Sequence, residues 1–233
     1  MRGKELRYIA GLVLLILAGA FFSHSERLTA SSDARGKISG GLVVLDAGHG
    51  GKDPGKVGRE GQLEKEINLQ IVLRLKTYLE MNDIQVVLTR EDDNGLYRLS
   101  DSNKKAADLR RRVEIINKTM PDVMVSIHQN SYQQAEVCGA QVFYYEHSSE
   151  GKELAQIVQK RFDTVLGDEN KRKAKGNSSY YLLTHSKPVS VIVEAGFLSN
   201  PREAERLETE EYQDQVAWTI AMGILQYLEE QKK

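Results

Sequence analysis

The chain has 233 residues, of which 40% are hydrophobic and 28% are charged, and these proportions exclude a collagen-like, low-complexity or broadly disordered chain. Lys and Arg total 32 and Asp and Glu total 33, so the formal net charge of −1 provides no global basic field for nucleic acid. The single cysteine, Cys138, excludes an intrachain disulfide and any multi-cysteine metal site.

The N-terminal segment differs in composition from the rest of the chain. Arg2, Lys4 and Arg7 precede an uncharged apolar run over residues 8–22, which is shorter than the ~20 residues of a membrane-spanning helix. A basic start followed by a short apolar run is typical of an export signal. A buried core helix is the less favoured alternative, because the run is flanked by basic and polar residues.

This pattern predicts the domain organisation. No clear small-residue cleavage site follows the apolar run, so we expect residues 1–25 to be either a signal peptide or an uncleaved N-terminal membrane anchor. Residues 26–40 are polar and rich in small side chains, which favours a linker. We expect a single folded domain over residues 41–233, outside the cytoplasmic membrane.

Within this domain, short apolar runs alternate with amphipathic segments. The apolar runs have the length and β-branched content of buried strands, and the amphipathic segments repeat their apolar residues every three to four positions, as helices do. This alternation predicts an α/β domain of three layers, with a mostly parallel, twisted central sheet flanked by helices. The predicted strands cover residues 42–46, 84–89, 123–128, 140–145 and 189–194, and the predicted helices cover residues 64–81, 108–117, 154–165 and 212–228.

Polar residues capable of chemistry stand at the ends of three predicted strands. His49 follows the first strand, while His128 and Glu194 end two later strands. Parallel strands bring their carboxyl ends to one edge of the sheet, where ligands of α/β proteins bind. Two imidazoles and a carboxylate are a standard donor set for zinc, although structural histidines and a buried ion pair of Glu194 are the alternatives.

Spacing alone does not select a third ligand from the acidic residues near His49. Five carboxylates are close to it along the chain, and their positions do not separate them: Asp46, Asp53, Glu60, Glu64 and Glu66.

Five sequence blocks, in this order, resemble the zinc-dependent N-acetylmuramoyl-L-alanine amidases, which act on bacterial peptidoglycan. These blocks are VVLDAGHGGKD at 43–53, the glycine-rich stretch 58–64, LTR at 88–90, SIHQN at 126–130 and VEAGFLSNP at 193–201. The resemblance covers nearly all of the folded domain. It implies that His49, Glu64 and His128 bind one Zn²⁺ per chain and that Glu194 is the catalytic residue.

The compact chain, its basic run at 172–175 and the sequence at 196–207 resemble the sporulation-specific members of this family. That resemblance implies removal of stem peptides from muramic acid, so that a separate deacetylase forms muramic δ-lactam in the spore cortex. Residues 148–180 leave no room for the blocking helix of the division amidases in this family, which favours regulation by expression or by a partner protein. The resemblance also implies a location between the forespore and mother-cell membranes. Two other functions stay open: a non-catalytic peptidoglycan-binding scaffold, and a zinc amidohydrolase acting on another cell-wall substrate.

Overall fold

The computed structural model describes residues 40–167 and 170–232. The predicted signal or anchor over residues 1–25 lies outside this range, as does all but the last residue of the predicted linker, so both stay predictions. Among the described residues, no helix has the length and apolar character needed to cross a membrane.

Six strands form one sheet in the described part of the chain, in the order β2-β1-β3-β6-β4-β5. The four strands β2, β1, β3 and β6 run parallel, whereas β4 is antiparallel to β6, and β5 is parallel to β4. The sheet is therefore mostly parallel, as predicted. The strands are β1 (Leu42–Ala47), β2 (Gln85–Leu88), β3 (Val123–Asn130), β4 (Gln141–Tyr145), β5 (Lys175–Asn177) and β6 (Val189–Phe197).

Helices cover both faces of the sheet. The larger apolar core lies between one face and the helices α1, α3 and α6, and smaller clusters pack α2 and α4 against the other face. This arrangement confirms the predicted three-layer α/β fold. The helices are α1 (Glu64–Glu80), α2 (Lys104–Thr119), α3 (Ser149–Leu166), α4 (Tyr181–His185), α5 (Pro201–Glu208) and α6 (Glu210–Glu230).

The structure adds elements and extends others beyond their predicted ends. β5, α4 and α5 were not predicted, because segments of three to eight residues are too short to show a periodic pattern. β6 continues to Phe197, so Glu194 lies inside a strand and not at its end. α2 begins at Lys104 because the Asn103 side chain caps it by accepting a hydrogen bond from the backbone N–H of Ala106.

The strand order places the predicted site residues next to one another. β3 lies between β1 and β6, and all three strands run in the same direction. His128 on β3 is in register with Glu194 on β6. His49 comes two residues after the end of β1, on the other side of β3. The fold therefore brings these three side chains to one edge of the sheet.

Candidate metal and catalytic site

Two imidazoles and one carboxylate meet at this edge. Glu64 Oε1 lies 3.2 Å from His49 Nε2 and 3.0 Å from His128 Nδ1. One potential ligand atom from each of these residues lies within 4.8 Å of the others, and no other such group of three or more His, Cys, Asp or Glu occurs in the described ranges. Of the five acids that spacing left open, the structure brings Glu64 to the two histidines.

The chain around His49 is shaped by close approaches. His49 has a φ of 64°, in the left-handed region that non-glycine residues rarely adopt. A Cβ at Gly48 would lie 2.3 Å from the His128 ring, and a Cβ at Gly55 would lie 2.5 Å from Glu64 Oε2. Only glycine at these two positions lets the loop pack directly against the side chains of His128 and Glu64.

Glu64 is the first residue of α1, and its carboxylate is held by backbone donors. The backbone N–H of Lys56 donates to Oε2 at 2.7 Å, and that of Gln129 donates to Oε1 at 3.1 Å. Burial alone would raise the pKa of Glu64, but hydrogen bonds from His128 and His49 hold it far below its usual range. Glu64 is therefore an anion placed between the two imidazoles.

Asp53 orients His49 from the side away from Glu64. Its Oδ2 lies 3.0 Å from His49 Nδ1, which leaves Nε2 directed at Glu64. Such a carboxylate on the second ring nitrogen is common behind metal-binding histidines. Burial lowers the pKa of His49, but Asp53 and Glu64 outweigh it and raise the pKa to about 9. In the metal-free protein, His49 is therefore protonated at neutral pH.

Two buried arginines, Arg90 and Arg112, which we call the arginine pair, hold the backbone that leads to His49. Arg90 Nε donates to the carbonyl oxygen of Ala47 at 2.8 Å, and its Nη2 donates to that of Gly48 at 3.1 Å. Arg112 Nη1 donates to the Ala47 oxygen at 2.7 Å, and its Nη2 donates to the carbonyl oxygen of His49. The carbonyl oxygens of Ala47, Gly48 and His49 thus all accept arginine hydrogen bonds.

Asp46 anchors this pair to the sheet. The carboxylate is fully buried and accepts hydrogen bonds from Arg112 Nη1, Thr89 Oγ1 and Ser126 Oγ at 2.5–2.6 Å. Burial raises the pKa of Asp46, but the Arg112 charge and the hydrogen bonds outweigh it and lower the pKa to about 2. Asp46 is thus a structural anion beneath the site and not a third ligand.

Glu194 lies beside the cluster, and its side chain is buried. The Tyr180 hydroxyl donates to Glu194 Oε1 at 3.3 Å, whereas Oε2 has no hydrogen-bond partner among the described residues. Burial is the largest cause of the raised pKa of Glu194, against opposing effects of His128 and of the Tyr180 hydrogen bond. A buried carboxyl group with an unpaired oxygen and a raised pKa is suited to proton transfer.

The remaining candidates have other positions. Glu60 and Glu66 are exposed to solvent, and so are His147 and His185. His24 lies outside the described residues. The sequence left Asp53 open as one of five possible ligands and assigned no role at this site to Tyr180 or the arginine pair. The only signals for them were the short distance from Asp53 to His49 along the chain and the arginine of the LTR block.

The donor set fits zinc. Two imidazole nitrogens and a carboxylate oxygen form the His₂Glu set of hydrolytic zinc sites, which leaves one position open. Ligand atoms bound tetrahedrally at about 2.0–2.2 Å lie about 3.3–3.6 Å apart, close to the separations of 3.0 and 3.2 Å found here. The carboxylate behind His49 supplies the outer hydrogen bond that such ligands use.

Comparison with known proteins agrees with this geometry. The profile of one family, described as N-acetylmuramoyl-L-alanine amidase, matches residues 43–226. Over 231 residues, the chain is 36% identical to the germination-specific N-acetylmuramoyl-L-alanine amidase of Bacillus subtilis (strain 168); the alignment covers 97% of this chain and 95% of that protein.

Solved structures show the same fold. The CwlD amidase from Clostridioides difficile, solved in complex with the GerS lipoprotein, has a TM-score of 0.78 at 39% identity, over 81% of this chain and 98% of that one. The amidase AmiC2 of Nostoc punctiforme has a TM-score of 0.70 at 36% identity, over 81% of this chain and 97% of that one.

Proposed function

The chain belongs to the family of N-acetylmuramoyl-L-alanine amidases, which are zinc-dependent in general, and we propose that His49, Glu64 and His128 hold its zinc ion, one per chain, with Glu194 as the catalytic residue. The reaction is hydrolysis of the amide bond between N-acetylmuramic acid and L-alanine in peptidoglycan. The observation that carries the proposal is the meeting of the three donor atoms within 4.8 Å of one another.

When bound, zinc would supply a Lewis acid for the scissile carbonyl and lower the pKa of water at the site. The protein's own part in binding is to present Glu64 as an anion between two imidazoles. Asp53 on Nδ1 keeps His49 in the orientation that exposes Nε2. The backbone donors on Glu64 and the arginine pair on the His49 loop hold this arrangement before the substrate arrives.

Glu194 performs the proton transfers. Its carboxylate accepts a proton from the attacking water and delivers it to the departing amine, because expulsion of an unprotonated amide nitrogen is prohibitively slow. Burial raises the pKa of Glu194, which makes the carboxylate a stronger base than an exposed one. The Tyr180 hydroxyl holds Oε1 in place and leaves Oε2 for the proton.

The biological role proposed is maturation of spore-cortex peptidoglycan. It is supported by the likeness to the germination-specific amidase of Bacillus subtilis over nearly the full length of both chains. In this role the enzyme removes stem peptides, and a separate deacetylase then forms muramic δ-lactam. The complex of the Clostridioides difficile relative with a lipoprotein supports a regulatory partner for this chain as well.

Cell-wall amidases related to this chain are extracytoplasmic. We propose the same location here, reached by the signal or anchor over residues 1–25 and, during sporulation, between the two membranes around the forespore. A reporter active only in the cytoplasm, fused after Lys233, should give no signal. A reporter signal equal to that of the same fusion lacking residues 1–25 would contradict export.

Digestion of purified peptidoglycan tests the activity itself. Mass spectrometry should detect free stem peptides with N-terminal L-alanine and glycan strands with intact, unsubstituted muramic acid. A scaffold that only binds peptidoglycan would release neither product, even with zinc supplied. An amidohydrolase acting on another wall bond would release fragments of different mass.

A further inference from the structure

A cavity of about 530 Å³ shares no residue with the three proposed zinc ligands. Two acidic side chains line it, Glu136 and Glu203, against four basic ones, so the lining has a surplus of two positive charges. Cavities of this size with converging charged groups are typical ligand sites. The basic side chains, which define what we call the cationic cavity, are Lys171, Arg172, Arg202 and Arg206.

Two of these cations are held in place by aromatic rings. The Arg172 guanidinium lies 4.9 Å from the centre of the Phe197 ring, and its Nε donates to the carbonyl oxygen of Cys138 at 2.9 Å. Arg206 lies 4.4 Å from the centre of the Tyr212 ring. Stacked guanidinium groups lose little freedom on binding an anion and offer the planar fork that carboxylates prefer.

A buried amide oxygen adds a second requirement for the ligand. Asn170 lines the cavity and is 7% exposed, and its Oδ1 has no hydrogen-bond donor among the described residues. This oxygen lies against Gly139, where a Cβ would come within 2.6 Å of it. Buried acceptors are normally satisfied, so a ligand that brings an N–H group would complete Asn170. Anions without a donor, such as sulfate, would not.

The cavity begins close to the catalytic carboxylate. Glu194 on β6 is in register with Gln141 on β4, and Gly139, at the cavity wall, is two residues or about 7 Å from Gln141 along the chain. Glu203 ties this wall to β6, because its carboxylate accepts from the backbone N–H of Gly139 at 2.9 Å and of Phe197 at 2.8 Å. With the spacing of about 5 Å between β6 and β4 added, an extended peptide of about four residues spans the path from Glu194 to this wall.

We propose that the cationic cavity binds the carboxyl-terminal end of the stem peptide that the enzyme releases. The basic side chains bind the terminal carboxylate, and Asn170 Oδ1 accepts a hydrogen bond from an N–H of the same peptide. Glu194 protonates the departing amine, so the peptide leaves from the side of the cluster where β6 and β4 lie. The inference rests on the proposed amidase function, because it names the part of that substrate bound beyond the reacting bond.

Binding of a released peptide tests the cavity without catalysis. Two synthetic stem tetrapeptides, identical except that one has a free and the other an amidated terminal carboxyl group, are titrated into the full-length protein by calorimetry. We expect the free acid to bind at least about fivefold more tightly, since the amide lacks the charge that the cavity attracts. Equal affinities for the two peptides would overturn the proposal.

A double variant and a matched control locate the site. Lys171→Ala with Arg202→Ala removes two of the four basic side chains and should weaken the preference for the free acid; both side chains are exposed, so neither supports the core. Lys173→Ala, from the same basic segment but outside the cavity lining, should keep it. Loss of the preference in Lys173→Ala, or an undiminished preference in the double variant, would show that the carboxylate binds elsewhere.

Hydrolysis separates this proposal from the proposed function. For a muropeptide substrate with a free terminal carboxylate, the double variant should raise KM about two- to fivefold with kcat nearly unchanged. For the amidated substrate, the variant and the wild type should have the same KM. If the protein bound the free-acid peptide selectively but hydrolysed neither substrate, the amidase function would be contradicted and peptide binding by the cationic cavity would still be supported.

Discussion

Arg112 donates a hydrogen bond from Nη2 to the carbonyl oxygen of His49, so a buried cation on α2 holds the backbone of a zinc-ligand candidate without touching the ligand's ring. The same guanidinium bonds Asp46 and the carbonyl oxygen of Ala47. The left-handed φ of 64° at His49 is costly in isolation and persists where the surroundings determine it. Arg112 is one of the groups that hold the His49 backbone in this conformation.

Arg112→Lys should weaken zinc binding about 10- to 100-fold, because an ammonium group keeps the charge but cannot bond Asp46, Ala47 and His49 together. Zinc affinity is measured by chelator competition, and thermal unfolding shows that the variant is folded. Arg110→Lys, on the exposed face of the same helix, is the control and should bind zinc like the wild type. Unchanged zinc affinity in a folded Arg112→Lys protein would contradict the positioning role.

Removal of either histidine should remove the metal. His49→Ala and His128→Ala each leave two protein ligands, which cannot complete the site, so we expect the purified variants to retain less than about a tenth of the wild-type zinc. Metal content is measured by atomic absorption. His185→Ala, an exposed histidine away from the cluster, should keep about one zinc per chain. Full zinc in either ligand variant would place the metal elsewhere.

Glu194→Gln should separate chemistry from metal binding. Glutamine is nearly isosteric but cannot accept the water proton, so the rate should fall about 10²- to 10⁴-fold while the zinc content stays the same. Glu64→Gln should instead lose zinc, since it removes the anionic ligand. Glu66 is exposed on α1, two residues after Glu64, so Glu66→Gln should alter neither the rate nor the zinc content. An active Glu194→Gln enzyme would refute the assignment.

Tyr180→Phe should change the pH dependence of the reaction. The Tyr180 hydroxyl donates to Glu194 and lowers the pKa of that carboxyl group, which burial otherwise raises. Removal of the donor should raise the pKa of Glu194 further, because the hydrogen bond that favours the carboxylate is lost. Activity requires the carboxylate, so the acidic limb of the kcat/KM profile should move to higher pH. Tyr181→Phe is the control, and a profile unchanged by Tyr180→Phe would contradict the coupling.

Zinc affinity should itself depend on pH. The pKa of His49 is raised to about 9 in the metal-free protein, so below that pH zinc must displace one proton from the ring. The apparent affinity should therefore rise about tenfold per pH unit between about pH 6 and pH 8, as chelator competition would measure. Asp53→Asn should lower the pKa of His49, so the zinc affinity of this variant should level off at a lower pH than that of the wild type. If the zinc affinity of Asp53→Asn rose with pH as steeply as that of the wild type up to about pH 9, the role of Asp53 would be contradicted.

The long elements and the place of the site were predictable from the sequence. Apolar runs of five to six residues and amphipathic repeats of ten or more identify strands and helices, because burial of one face imposes a period on the side chains. Once the sheet is predicted to be parallel, His49, His128 and Glu194 must meet at one edge. The structure confirms the fold and brings these residues together.

Local chemistry did not decide among the acidic residues near His49. The family resemblance selected Glu64, and the packing of α1 against the β1 loop places its carboxylate between the imidazoles. Asp46 and Asp53 are closer to His49 along the chain than Glu64 is, yet one is buried under Arg112 and the other lies behind the His49 ring. The roles of Glu64, Asp46 and Asp53 differ because their carboxylates lie in different places around His49, and the fold around each residue determines that placement.

The sequence by itself therefore determined the layered fold, the edge that carries the chemistry and the residue types available there, since each follows from burial patterns within a few neighbouring residues. Only the tertiary structure decided which partners meet across long separations in the chain. Arg112 reaches the carbonyl of His49 over 63 residues. Gly139 lies against Asn170, and its backbone N–H donates a hydrogen bond to the Glu203 carboxylate. Such contacts have no local periodic signal, because they depend on strand order and on the close packing of loops at one edge of the sheet.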